Sequence, residues 1–288
     1  MILIADSGST KTSWLLLKNG IPQTCQTSGI NPFFQNEEEI YRLLSDNFLL
    51  EKKGIQELWF YGAGCSNTNK SSVVQHALQR FFHPQIISVE SDLLGAARSL
   101  CGHEPGITAI LGTGSNSCYY DGKMIINQVA PLGYILGDEG SGAVLGKLLI
   151  SDILKRQLPE HIIDRFEQTY QLTTDEILNN VYKKKFPNRY LAKFSVFLYE
   201  NRAEESIRQL VKRSFVDFFV RNIRHYQEAS SLPVHFTGSI AWYFQPVLKE
   251  AAAQTGFRIG EVTKEPMAGL VKFHSNENPK NTNGNIKQ

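Results

Sequence analysis

Two segments of this 288-residue chain share one design, in which an apolar strand runs into a turn of small residues and then directly into a second strand. In the first segment the strand Ile2–Asp6 is followed by the turn Ser7–Thr12 and the strand Ser13–Lys18. In the second, Ile107–Leu111 is followed by the turn Gly112–Asn116. Such turns direct backbone N–H groups into a concavity that suits an anion. Two of them predict a nucleotide held between two related halves.

The order of elements after each turn supports an internal repeat. An Asx-Gly hairpin follows the second strand in both halves, at Asn19-Gly20 and at Asp121-Gly122, and each leads into a third strand. Later strands alternate with helices. The expected elements are a third strand in each half at Pro22–Thr27 and Met124–Val129, a strand at Ser117–Tyr120, and helices at Glu37–Leu50, Ser71–Phe82, Leu93–Cys101, Ser141–Lys155 and Glu204–Ser230.

Strands joined by helices predict an α/β fold whose ligands lie at the carboxyl ends of the strands. Glycine or aspartate follows five expected strands at that edge, at Asp6, Gly62–Gly64, Asp92, Gly112–Gly114 and Gly238. The expected domains are residues 1–107, residues 108–274 with a helical insertion, and a flexible tail at residues 275–288. The helices between Pro159 and Leu198 carry no chemical signature.

Composition narrows the function classes. A net charge of +2 without a clustered basic face gives no reason to expect a nucleic-acid partner. No apolar stretch reaches the roughly 20 residues that span a bilayer, and the first strand begins at residue 2, so we expect no membrane partner, no signal peptide and a cytoplasmic location. Four cysteines stand without metal-ligand spacing and are expected to be buried free thiols.

The motifs together resemble the N-acetylglucosamine kinases and the wider group of benzoyl-CoA reductase-type activator ATPases, within the actin/hexokinase-like superfamily. The first turn resembles that superfamily's first phosphate motif, and Leu111–Asn116 its second. Val234–Ala241 resembles the adenosine motif, Pro266–Leu270 the closing helix motif, and Gly133–Ser141 the Gly-Asp-Glu-Gly-Ser element of amino-sugar kinases. The resemblance implies two ribonuclease H-like, actin-like ATPase domains with an ATP cleft between them, and ATP and Mg²⁺ as cofactors.

Phosphoryl transfer needs a cradle for phosphates, a cation and a group that orients or deprotonates the acceptor. We expect Thr10 and Thr113 to donate hydroxyls to phosphate oxygens, Lys11 to add charge, and Asp6 to hold Mg²⁺ through water. A single turn of this kind is usually only a hairpin turn, whereas two favour function. The expected ATP-binding residues are Gly8, Ser9, Thr10, Lys11, Gly112, Thr113, Gly114, Gly238 and Ser239.

Asp92 is the expected catalytic base, a role that the resemblance supports. From the sequence it could equally be a helix N-cap, and Glu90, two residues earlier, is the rival base. Asp138 and its neighbour Glu139 could likewise serve only to cap a helix, and Asn31 could be a turn residue before proline. The expected substrate-binding residues are Asn31, Asp92, Ser115, Asn116, Leu132, Gly133 and Asp138.

The expected reaction is transfer of the ATP γ-phosphate to O6 of an amino sugar, N-acetylglucosamine or N-acetylmuramic acid, by a protein of a class that often forms homodimers. Leu132 stands where the sugar kinases have tryptophan, so another acyl or lactyl substituent could fit there. The alternatives are an ATPase that activates an acyl-CoA dehydratase or reductase partner, a sugar-responsive repressor and a non-catalytic sugar sensor. The activators carry an iron–sulfur cluster, for which these cysteines show no evident spacing.

Overall fold

The first strand–turn–strand segment supplies two strands of a mixed five-stranded sheet in the computed structural model, which describes residues 1–8 and 10–276. The strands of this sheet are β1 (Ile2–Ser7), β2 (Lys11–Lys18), β3 (Ile21–Ser28), β4 (Glu57–Gly62) and β5 (Ile86–Ser91). Their order is β3-β2-β1-β4-β5, with β1, β2 and β3 antiparallel and β4 and β5 parallel to β1. The carboxyl ends of β1, β4 and β5 therefore share one edge of the sheet.

Helices α1 (Glu37–Asn47), α2 (Thr68–Phe82) and α3 (Asp92–Cys101) complete this part of the chain. Helix α1 ends before the expected Leu50 because Phe48 turns to an extended backbone and enters the core. Its ring lies 5.4 Å from that of Trp14 and 4.8 Å from that of Phe82, both edge-on. Aromatic packing of this kind outweighs continued helix propensity.

The second segment starts a sheet of the same topology, which confirms the internal repeat. Its strands are β6 (Gly106–Leu111), β7 (Ser115–Tyr120), β8 (Ile125–Val129), β9 (Val234–Thr237) and β10 (Ile259–Thr263). The order is β10-β9-β6-β7-β8, with β6, β7 and β8 antiparallel and β9 and β10 parallel to β6. Strand β6 thus corresponds to β1, β9 to β4 and β10 to β5.

The helices of this second part lie mostly between β8 and β9. They are α4 (Gly133–Leu136), α5 (Gly142–Leu154), α6 (Glu160–Tyr170), α7 (Thr174–Tyr182), α8 (Pro187–Ala192), α9 (Ser195–Glu200), α10 (Glu205–Arg221), α11 (Ser239–Tyr243) and α12 (Gln245–Thr255). The helix expected over Glu204–Ser230 ends at Arg221 and continues as two short 3₁₀ turns, Ile223–His225 and Gln227–Ser230. Buried Tyr226 lies between those turns, and its hydroxyl bonds to Ser117.

The last described helix, α13 (Met267–Asn276), returns to the first sheet. The chain divides into two compact units, Pro105–Glu265 and Met1–Glu104 with the segment that starts at Pro266. The first unit therefore ends just before β6, so that the whole strand belongs to the second unit, and it regains α13, which we expected with the second domain. Residues 277–288 of the expected tail lie outside the described residues, whereas Ser275 lies in α13.

Each unit has its own apolar core. In the first, Leu3, Trp14 and Phe60 on the sheet pack against Phe81 and Phe82 of α2. In the second, a larger core joins the sheet to α5, α10 and α12. Among the described residues, no helix combines the length and the apolar character needed to cross a membrane.

Candidate active site

The first turn is held from beneath by two buried hydroxyls. The Oγ of Ser7 lies 2.7 Å from Oγ1 of Thr12, and neither residue is exposed to solvent. Ser7 also donates to the carbonyl oxygen of Ile30 at 3.0 Å and accepts from its N–H at 3.0 Å. These bonds fix the base of the turn to the segment that leads into Asn31.

The upper part of the first turn is closed by its own backbone. The Gly8 N–H donates to the Lys11 carbonyl at 3.0 Å, and Gly29 donates to the Thr10 carbonyl at 3.1 Å. Thr10 and Lys11 are exposed, and Ser9 lies outside the described residues. The Gly8 N–H is already bonded within the turn, whereas the Thr10 side chain is exposed. Of Gly8 and Thr10, Thr10 is therefore better placed to donate a hydrogen bond to an anion.

The second turn lies against the first residues of α5. The carbonyls of Gly112 and Thr113 accept from the N–H groups of Gly142 at 2.8 Å and Ala143 at 3.1 Å. The Gly112 N–H donates to the Gly114 carbonyl at 3.0 Å, much as the Gly8 N–H closes the first turn. These bonds satisfy N–H groups at the start of α5 that a helix leaves without a partner.

Gly238 brings the end of β9 against the end of β6. Its φ of +119° is one that side-chain-bearing residues rarely adopt, and a Cβ there would lie 2.3 Å from the Leu111 carbonyl oxygen. Its N–H donates to the Thr263 carbonyl at 3.0 Å. Ser239 follows as the first residue of α11. Only glycine fits here, immediately beside the second turn.

Asp6, the expected Mg²⁺ ligand, lies one residue before the end of β1, in register with Tyr61 of β4. Its side chain is partly buried at the sheet edge. No group of three or more His, Cys, Asp or Glu side chains suited to a metal occurs within the described residues. A single carboxylate suits Mg²⁺, which usually keeps several waters and binds substrate phosphates as well.

Asp92 is the first residue of α3, and Ser91 rather than Asp92 is the N-cap. The Ser91 hydroxyl accepts from the Leu94 N–H at 3.2 Å. Asp92 Oδ1 accepts from the Leu93 N–H at 2.9 Å. Burial raises the pKa of Asp92 to about 6, against the opposing effect of the backbone hydrogen bonds. A carboxylate with a pKa near neutrality is suited to accept a proton from a hydroxyl.

Two further groups surround Asp92. Burial, reinforced by the negative charges of Asp92 and Glu90, raises the pKa of the Cys65 thiol to about 12. The rival base Glu90 accepts a hydrogen bond from the Ser88 hydroxyl at 3.0 Å on β5. Glu90 is thus oriented along its own strand, whereas Asp92 sits at the start of a helix beyond the sheet edge.

Asn31 is both a turn residue and a neighbour of the glycines that follow β4. Its Oδ1 accepts from the Phe33 N–H at 2.9 Å, so the turn interpretation describes its geometry. A Cβ on Gly64, where φ is +86°, would lie 2.5 Å from that same oxygen. The Asn31 carboxamide is therefore fixed through its oxygen, which leaves its NH₂ group to donate elsewhere.

Asp138 lies against the second turn. Its Oδ1 accepts from the Ser115 N–H at 3.3 Å, and a Cβ on Gly114 would lie 3.0 Å from its Oδ2. Burial raises the pKa of Asp138 to about 6, although the hydrogen bond from Ser115 opposes this. The N-cap of α5 is Ser141, whose side chain accepts from the Val144 N–H, so Asp138 does not cap that helix.

Glu139, which follows Asp138 in the chain, binds the end of α10. It forms an ion pair with Arg221 at 2.8 Å and accepts from Asn222 at 3.2 Å, both at the end of α10. Gly140 adds a bond from its N–H to the buried Ser214 hydroxyl at 3.1 Å. These contacts anchor the loop whose Asp138 reaches the second turn.

The remaining expected substrate residues are Asn116 on β7, and Leu132 and Gly133 at the start of α4. Asn116 Oδ1 accepts from the Ser117 N–H and from Gln128, both at 3.0 Å, so its oxygen is already used. Leu132 has a left-handed backbone (φ +61°) before Gly133, and its side chain is 62% exposed. Lys147 donates to the Tyr134 carbonyl at 2.9 Å and holds this short segment on α5.

Sequence reasoning missed the residues that support these groups. Ser7 and Thr12 place buried hydroxyls beneath the first turn, and the buried Ser214 hydroxyl accepts from the Gly140 N–H in the loop that carries Asp138. The one available signal was a polar residue inside an otherwise apolar strand or helix. Lys147 and Cys65 were not singled out as neighbours of the carboxylates because their proximity depends on tertiary folding.

No family model matches this chain, and none of the curated proteins does either. Among solved structures, a candidate N-acetylglucosamine kinase from Porphyromonas gingivalis is 47% identical, over 96% of this chain and 99% of its own, with a TM-score of 0.92. This chain belongs to the N-acetylglucosamine kinase-like family. That assignment confirms the family resemblance and the α/β fold of two ribonuclease H-like domains.

Two solved structures with much lower sequence identity have the same fold, and their alignments also extend over nearly the whole of this chain. A candidate N-acetylglucosamine kinase from Chromobacterium violaceum is 16% identical with a TM-score of 0.72, over 94% of this chain and 98% of its own. A glucokinase of the ROK family from Streptomyces griseus, in complex with glucose and AMPPNP, is 14% identical with a TM-score of 0.55, over 95% and 98%. At these identities the similarity concerns the fold alone.

Proposed function

We propose that this protein is an amino-sugar kinase that transfers the γ-phosphoryl group of ATP to O6 of N-acetylglucosamine or N-acetylmuramic acid. The observation that carries the proposal is the position of Asp92 at the start of α3, with a pKa raised to about 6, in a chain 47% identical to a candidate kinase of this kind. Two glycine turns and Asp138 supply the binding groups. The acyl-CoA-linked activator, the repressor and the sugar sensor find no comparable support.

In the proposed reaction the Asp92 carboxylate accepts the proton of the O6 hydroxyl. The O6–phosphorus bond forms, the bond from phosphorus to the β–γ bridging oxygen breaks, and ADP leaves with the bonding electron pair. The Leu93 N–H holds one Asp92 oxygen at 2.9 Å and so orients the other toward the acceptor. A base of pKa near 6 is deprotonated at pH 7 and still accepts a proton readily.

The nucleotide is assigned to both glycine turns. Thr10 and Thr113 donate hydroxyls to phosphate oxygens, and Lys11 adds positive charge. Space for close approach exists at Gly112, where a Cβ would meet nothing within 4 Å. Asp6 would hold Mg²⁺ through water, and the ion would supply positive charge for the phosphate oxygens.

The sugar is assigned to Asn31 and Asp138. The Asn31 NH₂ group donates to a sugar hydroxyl because the amide oxygen is held by Phe33. The Asp138 carboxylate accepts from sugar hydroxyls, as the matching aspartate does in the resembled kinases. The exposed Leu132 side chain supplies an apolar contact for the acyl or lactyl substituent, where the sugar kinases have tryptophan.

Purified protein with Mg²⁺ and ATP is tested against N-acetylglucosamine, N-acetylmuramic acid, glucosamine, glucose and no sugar. The proposal predicts ADP formation that depends on an N-acyl amino sugar. Asp92→Asn is expected to lower this rate by about 10²-fold or more. The matched control Glu90→Gln, which removes the neighbouring carboxylate on β5, is expected to retain most of the activity. Slow ADP formation that does not depend on any sugar or on Asp92 would contradict the proposal.

The expected homodimer remains a prediction, which light scattering of the same preparation tests.

A further inference from the structure

Three polar side chains of the first unit meet at α3, of which Tyr61 and His274 are buried and Arg98 is partly buried. The hydroxyl of Tyr61, at the end of β4, lies 2.8 Å from Nε2 of His274 on α13. Arg98 of α3 donates to the same hydroxyl at 2.9 Å. Tyr61 is 1% exposed and His274 is 2% exposed. One phenol oxygen therefore joins the central sheet to both helices.

The charges of this network favour one arrangement of protons. Arg98 carries only donors, so the Tyr61 oxygen accepts a hydrogen bond from Arg98, and the Tyr61 hydroxyl donates its hydrogen to His274. Nε2 of His274 is therefore unprotonated and acts as the acceptor. Burial, together with the positive charge of Arg98, lowers the pKa of His274 to about 3 and keeps it neutral. Trp59 stacks on the imidazole with ring centroids 4.4 Å apart.

The same network sets the position of α3. A Cβ on Gly95 would lie 2.7 Å from the Tyr61 ring, so the first turn of α3 rests directly on that ring. On the other side, a Cβ on Gly269 of α13 would lie 2.2 Å from the Ser99 carbonyl oxygen. The Ser99 hydroxyl donates to the Pro266 carbonyl at 2.7 Å. Helix α3 is thus clamped along its length between β4 and α13.

We propose that Tyr61, Arg98 and His274 are positioning residues for Asp92, the first residue of α3. The inference rests on the proposed function, since it assigns these residues to the base of that reaction. A shift of about 1 Å in a reacting group can cost about 10²-fold in rate. Loss of the Tyr61 hydroxyl removes the hydrogen-bond partner that Arg98 and His274 share, and so weakens the link between α3 and α13 near Tyr61, while the contacts of Ser99 remain.

Tyr61→Phe tests the inference because it removes one oxygen and leaves the ring against Gly95. We expect kcat to fall about 10- to 100-fold, with KM values for ATP and sugar changed less than about threefold. The matched control is Tyr226→Phe in the second unit, where a buried phenol bonds to Ser117 at 2.9 Å and to the Val129 N–H at 3.0 Å. That variant is expected to lose similar stability and to keep its kcat.

A second readout does not depend on turnover. The carboxyl titration of Asp92, identified by carbon NMR against Asp92→Asn, is expected to move from about 6 toward the ordinary carboxyl range in Tyr61→Phe. The titratable neighbours Glu90 and Cys65 are unchanged in that variant. His274→Gln, which retains an acceptor, is expected to preserve the titration better than His274→Leu.

The outcomes separate the two proposals. If the parent protein phosphorylates no sugar, the proposed function fails, while a shifted Asp92 titration in Tyr61→Phe still supports the positioning role. If Tyr61→Phe loses stability like Tyr226→Phe but keeps both kcat and the Asp92 titration, the network is merely structural and the inference is overturned.

Discussion

The ionised carboxylate of Asp92 is expected to lower the free energy of unfolding of this protein. Its pKa is raised from 3.8 to about 6 by burial, so the folded state binds a proton more tightly than the unfolded state does. The resulting penalty is complete above pH 6 and shrinks as the pH falls through 6 toward 3.8. At 1.36 kcal/mol for each pH unit that separates the two pKa values, this penalty amounts to about 3 kcal/mol.

Asp92→Asn removes this penalty and keeps the oxygen that accepts from the Leu93 N–H. It also removes a negative charge from the first turn of α3, which is worth about 0.3–1 kcal/mol to a helix. We therefore expect the unfolding free energy to rise by about 2 kcal/mol at pH 8 and by almost nothing at pH 4. An inactive variant would thus be the more stable protein.

Urea unfolding at both pH values measures the effect. Trp14 and Trp59 lie in the same unit as Asp92 and report its unfolding by fluorescence. The matched control Asp46→Asn, at an exposed position of α1, is expected to change stability by less than about 0.5 kcal/mol. A gain of equal size at pH 4 and pH 8, or a loss at pH 8, would refute the assignment of Asp92 as a carboxylate strained by burial.

Further predictions concern pH, the glycine beside the second turn and the sugar contact. With Asp92 as base, kcat/KM is expected to fall about tenfold per pH unit below about 6, and a profile flat to pH 5 would contradict this. Because the folded-state pKa of His274 lies below its ordinary value, stability is lost as pH falls from 6.5 toward 3. At pH 5 the loss relative to His274→Gln is expected to reach about 2 kcal/mol in urea titrations. Gly238→Ala is expected to cost about 2–3 kcal/mol or more by thermal unfolding, since its backbone is strained and its Cβ meets the Leu111 carbonyl; an unchanged midpoint would count against this. Asp138→Asn is expected to raise the KM for the sugar at least about tenfold and to leave the KM for ATP unchanged. Initial rates measured with each substrate varied in turn test this, and an unchanged KM for the sugar would contradict it.

The sequence predicts the repeat of strands and turns because each hairpin carries its own local signals. Short apolar runs mark β1 and β6, and the Asx-Gly pairs mark the turns that follow β2 and β7. Errors arise where tertiary packing takes over from local propensity. Phe48 leaves its helix for an aromatic core, and α13 joins the first unit because Gly269 packs on Ser99 far away in sequence.

The candidate site is predictable only as a set of residue types at strand ends. Ser91 and Asp92 compete for the N-cap position, and only the backbone shows that Ser91 occupies it. The neighbours Asp138 and Glu139 look equivalent in sequence. The structure separates them, since one carboxylate meets the second turn and the other pairs with Arg221. The raised pKa values of Asp92 and Asp138 depend on burial that no local pattern reports.

The most direct test of the central claim is the fate of the γ-phosphoryl group. The protein is incubated with Mg²⁺, ATP and N-acetylglucosamine or N-acetylmuramic acid, and the products are followed by ³¹P NMR with proton correlation. The account predicts a phosphomonoester coupled to the two protons on C6, formed by the parent protein and nearly absent with Asp92→Asn. Release of inorganic phosphate without a sugar ester, at the same rate in both proteins, would contradict it.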